Sequence, residues 1–168
     1  MRCLKAILFI GIMLVYTQKG YSYDIPPGMS PNPKLEQFIQ YARDLFKNIS
    51  DKPKNHVVEK TKNPHNPNQT DEWHNVTYDG LMTKFYRAIS APSDLISIII
   101  ISDKRYAMPF DIHVGDKKDD IVKKLGAPTQ TKSNDLEYSL PYASYSEDIT
   151  FRFSGEILKE VEWVFEID

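Results

Sequence analysis

The chain has almost no cysteine. Cys3 is the only one in 168 residues. That excludes a thiol nucleophile, a disulfide framework and a cysteine-bound metal for everything after residue 3. Cys3 also precedes an apolar run, whereas a lipid-accepting cysteine follows one, so no lipid anchor is expected. Glycine is scarce: seven residues, each isolated, with no glycine-rich loop to cradle a phosphate. No Gly-x-Ser-x-Gly elbow and no His-Glu-x-x-His pair occurs. Excess charge of one sign is missing as well. Lys and Arg number 21 against 23 Asp and Glu, a formal net charge of −2. Nucleic-acid phosphates call for clustered Lys and Arg, so no nucleic acid is expected as a partner. No apolar run reaches the roughly 20 residues of a spanning helix.

What is present begins with an export-like start. Arg2 and Lys5 flank the apolar run Ala6–Tyr16, whose length falls in the ~7–15 residue range of a signal core. Gly20-Tyr21-Ser22 offers a small-x-small step. This predicts a signal peptide over 1–22, cleavage before Tyr23, and a periplasmic or secreted protein; an uncleaved anchor is the alternative. Loss of Arg2, Lys5 and Lys19 takes the formal charge from −2 to about −5. The remaining length is enough for a core without disulfides. Three Asn-x-Ser/Thr sequons start at Asn48, Asn68 and Asn75. They mark exposed loops in a eukaryotic secretory chain and carry no meaning in a bacterial one.

Residues 23–33 hold four prolines and read as a flexible leader. Residues 34–168 read as a single domain, with 34–107 (helix, hairpin, central strand) ahead of 108–168 (helix and three strands). Leu35, Phe38, Ile39, Ala42 and Phe46 recur at three- and four-residue steps, which predicts a helix over 34–48. Residues 51–72 are polar and proline-broken; a short strand at Val57-Val58 precedes a loop over 61–71. Asp79-Gly80 divides two strand-like runs, 75–78 and 81–87, and predicts a hairpin with a type I′ turn. Leu95–Ile101 is apolar at both parities, which predicts a central strand covered on both faces. Asp116 is the expected N-cap of a helix ending at Gly126, with Asp119 returning the bond and Gly126 left-handed. Alternation over 136–140, 149–153 and 161–167 predicts further strands. The glutamates of the last, Glu160, Glu162 and Glu166, face outward and read as edge protection. The expected class is α+β: an antiparallel sheet with an N-terminal helix and a short mid-chain helix packed on it.

Gly115, Asp120, Ile121, Val122, Leu125, Gly126, Pro128, Tyr138, Phe151, Phe153, Val161 and Trp163 form a pattern over residues 111–165. It resembles the helix-plus-three-strand unit of the SmpA/OmlA (BamE) outer-membrane assembly lipoproteins and of the β-lactamase-inhibitor-protein-like fold. That resemblance implies a non-enzymatic module presenting a sheet face or loops to another protein. The lipidation cysteine of the former and the second copy of the unit in the latter are missing here.

Candidate chemistry is thin. His56, His65, His74 and His113 form no ligand-spaced pair, although His65, Glu72 and His74 could meet in a loop. His113 reads as a hydrogen-bonded strand residue. No catalytic residue, metal site or cofactor is expected, and no enzyme. The suggestive surface is aromatic: Tyr138, Tyr142 and Tyr145, in or beside the serine-containing segment 140–146, suit partner binding. Together with Glu160 and Glu162 they form the expected binding set, aimed at another protein of basic character. The leading expectation is an immunity or inhibitor protein against an envelope-acting enzyme. The alternatives are an envelope-assembly accessory at the outer membrane or peptidoglycan, and a small hydrolase.

Overall fold

The computed structural model describes residues 32–141 and 146–167. The expected signal peptide, most of the leader, Tyr142 and Tyr145 lie outside them. The described chain is an α+β fold built on one eight-stranded antiparallel sheet.

Helix α1 spans Pro33–Lys47. Its start is set locally: Asn32 accepts from the Lys34 amide at 3.0 Å, and Pro33 occupies the first turn, where its missing N–H costs nothing. Leu35, Phe38, Ile39 and Ala42 form its buried stripe. Strands β1 (Asn55–Lys62), β2 (Thr70–Thr77), β3 (Leu81–Arg87) and β4 (Leu95–Ile101) follow as a meander. A 3₁₀ turn at Pro109–Asp111 leads to helix α2, Lys118–Leu125. A second meander then runs β5 (Gln130–Lys132), β6 (Asp135–Pro141), β7 (Ser146–Ser154) and β8 (Ile157–Phe165). The spatial order is β1-β2-β3-β4-β8-β7-β6-β5. It is a palindrome: each half is a helix followed by four strands, and the halves meet through their last strands. No repeat in the sequence announces this.

One face of the sheet carries the core. Ile99, Ile101, Trp163, Val161, Ile149, Phe151, Tyr138 and Leu136 lie side by side across β4, β8, β7 and β6. Phe38 of α1 stacks on Trp163 at 6.2 Å and meets Phe151 edge-on at 5.8 Å. Ile121 and Leu125 add the buried side of α2. Phe110 sits at φ 60°, unusual for a bulky residue, and its ring is docked on Phe38 at 6.0 Å. The two helices are tied end to end: Asn32 donates to the Leu125 carbonyl at 3.2 Å.

Six expectations are corrected. Asp116 is not the N-cap of α2. Lys117 holds that place without a side-chain bond, and the Glu156 carbonyl takes the Lys118 amide at 2.9 Å. The turn between β7 and β8 thus satisfies a helix donor that a cap would otherwise meet. Asp116 instead accepts from the His113 amide at 3.1 Å, and His113 lies in no strand. Gly126 has φ 92° and ψ −170°, a glycine-only region other than the left-handed helical one. The 79–80 turn is not type I′: Gly80 alone has positive φ, and Asp103 is wedged against it. Residues 51–72 are less loop than expected, since β1 runs for eight residues; exposed on both faces, it shows no apolar period. Finally, β8 is no edge strand. It lies between β4 and β7, so Glu160 and Glu162 protect no edge.

Candidate functional site: the open sheet face

Side chains alternate along a strand, so the face opposite the helices is fixed by register. Two rows cross it. One reads Asn75, Lys84, Ile98, Val164, Asp148, Ser139. The next reads Thr77, Met82, Ile100, Glu162, Thr150, Glu137. Met82, Ile98, Ile100 and Val164 thus form an apolar centre on β3, β4 and β8. Val164 is 37% exposed, and the other three are half-buried. Among the described residues, Leu95–Ile101 is therefore covered on one side only, not on both as expected. Helix α1 is about 22 Å long and α2 about 12 Å, whereas eight strands span roughly 34 Å. Two such helices cover a single face.

The flanks of the apolar centre differ in character. On the β2–β3 side, Trp73 and Tyr86 are tilted rings 5.1 Å apart, and the Lys84 ammonium lies 4.9 Å over Trp73. On the β6–β8 side stand four carboxylates, Glu137, Asp148, Glu160 and Glu162, and Arg152 is paired with two of them. Arg152 bonds Glu160 at 2.6 Å and also bonds Glu162. The carboxylates outnumber the cation, and this flank is acidic.

Behind the aromatic flank, Asp71 is fully buried and accepts from Tyr86 Oη at 2.5 Å, from Gln69 at 2.8 Å, from the Ile89 amide at 3.2 Å and from Asn63. Burial alone would raise its pKa, but those donors outweigh it and hold the carboxyl at about 2. The same bond pushes the Tyr86 hydroxyl up to about 12. Three of the donors lie in loops and Tyr86 in β3, so the group ties those loops to the sheet.

Of the expected binding residues, Glu160 and Glu162 stand on the open face. Tyr138 does not. It is 1% exposed on the helix side, edge-on to Phe151 at 5.6 Å, with its hydroxyl donating to the Gly126 carbonyl at 3.0 Å. Burial pushes its pKa up to about 12. The alternation of 136–140 carries Leu136, Tyr138 and Leu140 inward together, which removes Tyr138 from any exposed loop surface. Tyr142 and Tyr145 belong to the segment joining β6 to β7, outside the described residues.

The histidines assemble differently from the expected grouping. His65 lies in the β1–β2 loop, its amide bonded to Asn63 Oδ1 at 2.8 Å. Its place beside His74 is taken by His56: Nε2 of His56 lies 2.8 Å from Nδ1 of His74, and Nε2 of His74 lies 3.1 Å from Glu72. The two rings are 5.0 Å apart by centroid, so their nitrogens point head-on and share a hydrogen bond. Among the described residues no three His, Cys, Asp or Glu are placed to hold a metal ion, and no helix is long and apolar enough to cross a membrane.

A cleft of about 360 Å³ opens between the end of α1 and the ends of β4, β7 and β8, lined by Leu95, Ile96, Phe165 and the Arg43–Glu147 ion pair. Arg43 also lies 5.7 Å over the Phe165 ring. The pairing of these charges ties α1 to β7.

The apolar centre escaped the sequence reading because Ile98 and Ile100 look the same whether covered by a helix or by a partner. The signal that could have exposed them is helix number: two short helices are too few for two layers. Comparison of the chain with protein-family models, with curated proteins and with solved structures finds no match.

Proposed function

We propose that this chain is an exported, non-catalytic protein-binding domain that docks a basic protein through its open sheet face, as an inhibitor or immunity protein does. The observation that carries the reading is the uncovered centre of Met82, Ile98, Ile100 and Val164 beside the acidic flank of Glu137, Asp148, Glu160 and Glu162. A standard interface takes about 800 Å² per partner, a square of roughly 28 Å, with an apolar middle and a polar rim. An eight-stranded face is wide enough, and its apolar residues lie at the middle of the strand order. The carboxylates select partner charge and speed encounter. Export rests on the signal-like residues 1–22, and the inhibitor-like role draws on the resemblance of residues 111–165.

The test is affinity capture from envelope and culture medium at low salt, with Ile98→Arg/Val164→Arg and Glu160→Lys/Glu162→Lys as comparison baits. The expected result is one stoichiometric basic protein on the wild-type bait. It should be lost from the first variant and weakened, with a flatter salt dependence, on the second. A protein held equally by all three baits removes the open face from consideration. A growth defect on deletion in pure culture, with no toxic partner present, points instead to an envelope-assembly role.

A further inference from the structure

The two edges of the sheet are unequal. β5 closes one with three residues, while β1 leaves the other open for eight. Val57 and Val58 are 44% and 43% exposed, and β1 has neither a proline nor a register shift against β2. Edges of this length are usually shielded by proline, a bulge, a covering segment or charge. Among the described residues, charge is the only such device on β1.

The bond from the Asn63 amide to the Gln69 carbonyl, 3.0 Å, sets the alternation of the ladder. Odd-numbered residues of β1 face β2 with their backbone groups. The N–H and C=O groups of His56, Val58, Lys60 and Lys62 therefore face outward and pair with none of the described residues. The side chains of these four share one face, and Lys60 and Lys62 make no ion pair among the described residues. That charge decides which strand is admitted. A second copy, paired antiparallel and centred on Val58, sets His56 opposite Lys60 of the copy, twice. Centred on Glu59, it sets two glutamates together and His56 against Lys62 of the copy. The register centred on Glu59 brings like charges into opposition. A strand with acids at alternate positions meets Lys60 and Lys62 favourably and pairs all four outward backbone positions.

We infer that β1 is a docking edge for an extended acidic segment of another protein, which adds to the sheet as a ninth strand. This surface is separate from the open face, and it stands whether or not that face binds.

The test uses two capped octapeptides, one alternating Glu and Val, the other Lys and Val, titrated to roughly millimolar, the weak end of specific binding, with amide exchange read by NMR. The Glu peptide is expected to slow exchange at His56, Val58, Lys60 and Lys62, leaving odd-numbered β1 amides unchanged; the Lys peptide is expected to slow none. Val58→Pro removes an outward N–H but no ladder bond, so it should keep the fold and lose the effect. If that variant does not fold, Lys60→Glu/Lys62→Glu serves: it should reverse the preference to the Lys peptide. The Ile98→Arg/Val164→Arg protein should bind the Glu peptide as the wild type does. No protection by the Glu peptide, equal protection by both peptides, protection elsewhere in the sheet, retained binding in Val58→Pro, or self-association of the protein alone would each overturn the inference.

Discussion

Gly80 shows how a single backbone position can carry a turn. Its φ is 69°, and a β-carbon there would lie 2.1 Å from the Asp103 β-carbon. Gly80→Ala is expected to cost roughly 3 kcal/mol or more, from strain and overlap together. Gly126→Val meets open space, so backbone strain alone, roughly 1–2 kcal/mol, is its expected cost. Denaturant midpoints distinguish the two. Asp71 gives a pH signature. Its carboxyl is held at about 2 in the fold, below the ~3.9 of an unfolded chain. Its contribution is therefore complete above pH ~4 and is lost as pH falls toward ~2. Asp71→Asn should be less stable than wild type at neutral pH, with the gap narrowing across that acid window, as read by urea unfolding at each pH. In the sequence, Gly80 and Gly126 were visible as punctuation, but the contact with Asp103 was not. Asp71 carries no local signal of its role, because its four donors come from positions 63, 69, 86 and 89.

Among the elements, α1 was the most legible. A 3.6-residue stripe and an Asn-Pro start are local signals, and the stripe is its buried face. Phe38 touches Phe110, Phe151 and Trp163, so Phe38→Ala should cost roughly 3–5 kcal/mol and lower the thermal midpoint by many degrees. A change of a degree or two by calorimetry would mean that α1 does not hold the sheet. Strand β1 was the least legible, because an edge strand wet on both faces has no hydrophobic period. The start of α2 was misread for a related reason. Its amide partner is the carbonyl of Glu156, distant in sequence and invisible to a local capping rule.

At the scale of the whole molecule, the α+β class and the antiparallel sheet were readable from alternation and turns. The palindromic order was not, because pairing β4 with β8 depends on closing a long loop for which no local signal exists. That seam makes the halves interdependent: Ile99 pairs with Trp163, Ile101 with Val161, and α1 of the first half rests on strands of the second. The two tryptophans, Trp73 in β2 and Trp163 in β8, report one half each. With Trp163→Phe or Trp73→Phe leaving a single reporter, the two fluorescence unfolding curves should match the far-ultraviolet circular dichroism of the same protein. Separate midpoints would show the halves melting independently.

The strand order also dictates a schedule on the ribosome. β4 emerges with one neighbour already made, but its other neighbour, β8, is synthesised only after α2, β5, β6 and β7. During that interval Leu95–Ile101 presents an unpaired isoleucine-rich margin to the cell, the kind of segment that aggregates when left waiting. A nascent chain of this design keeps that margin open until β8 reaches the centre of the sheet.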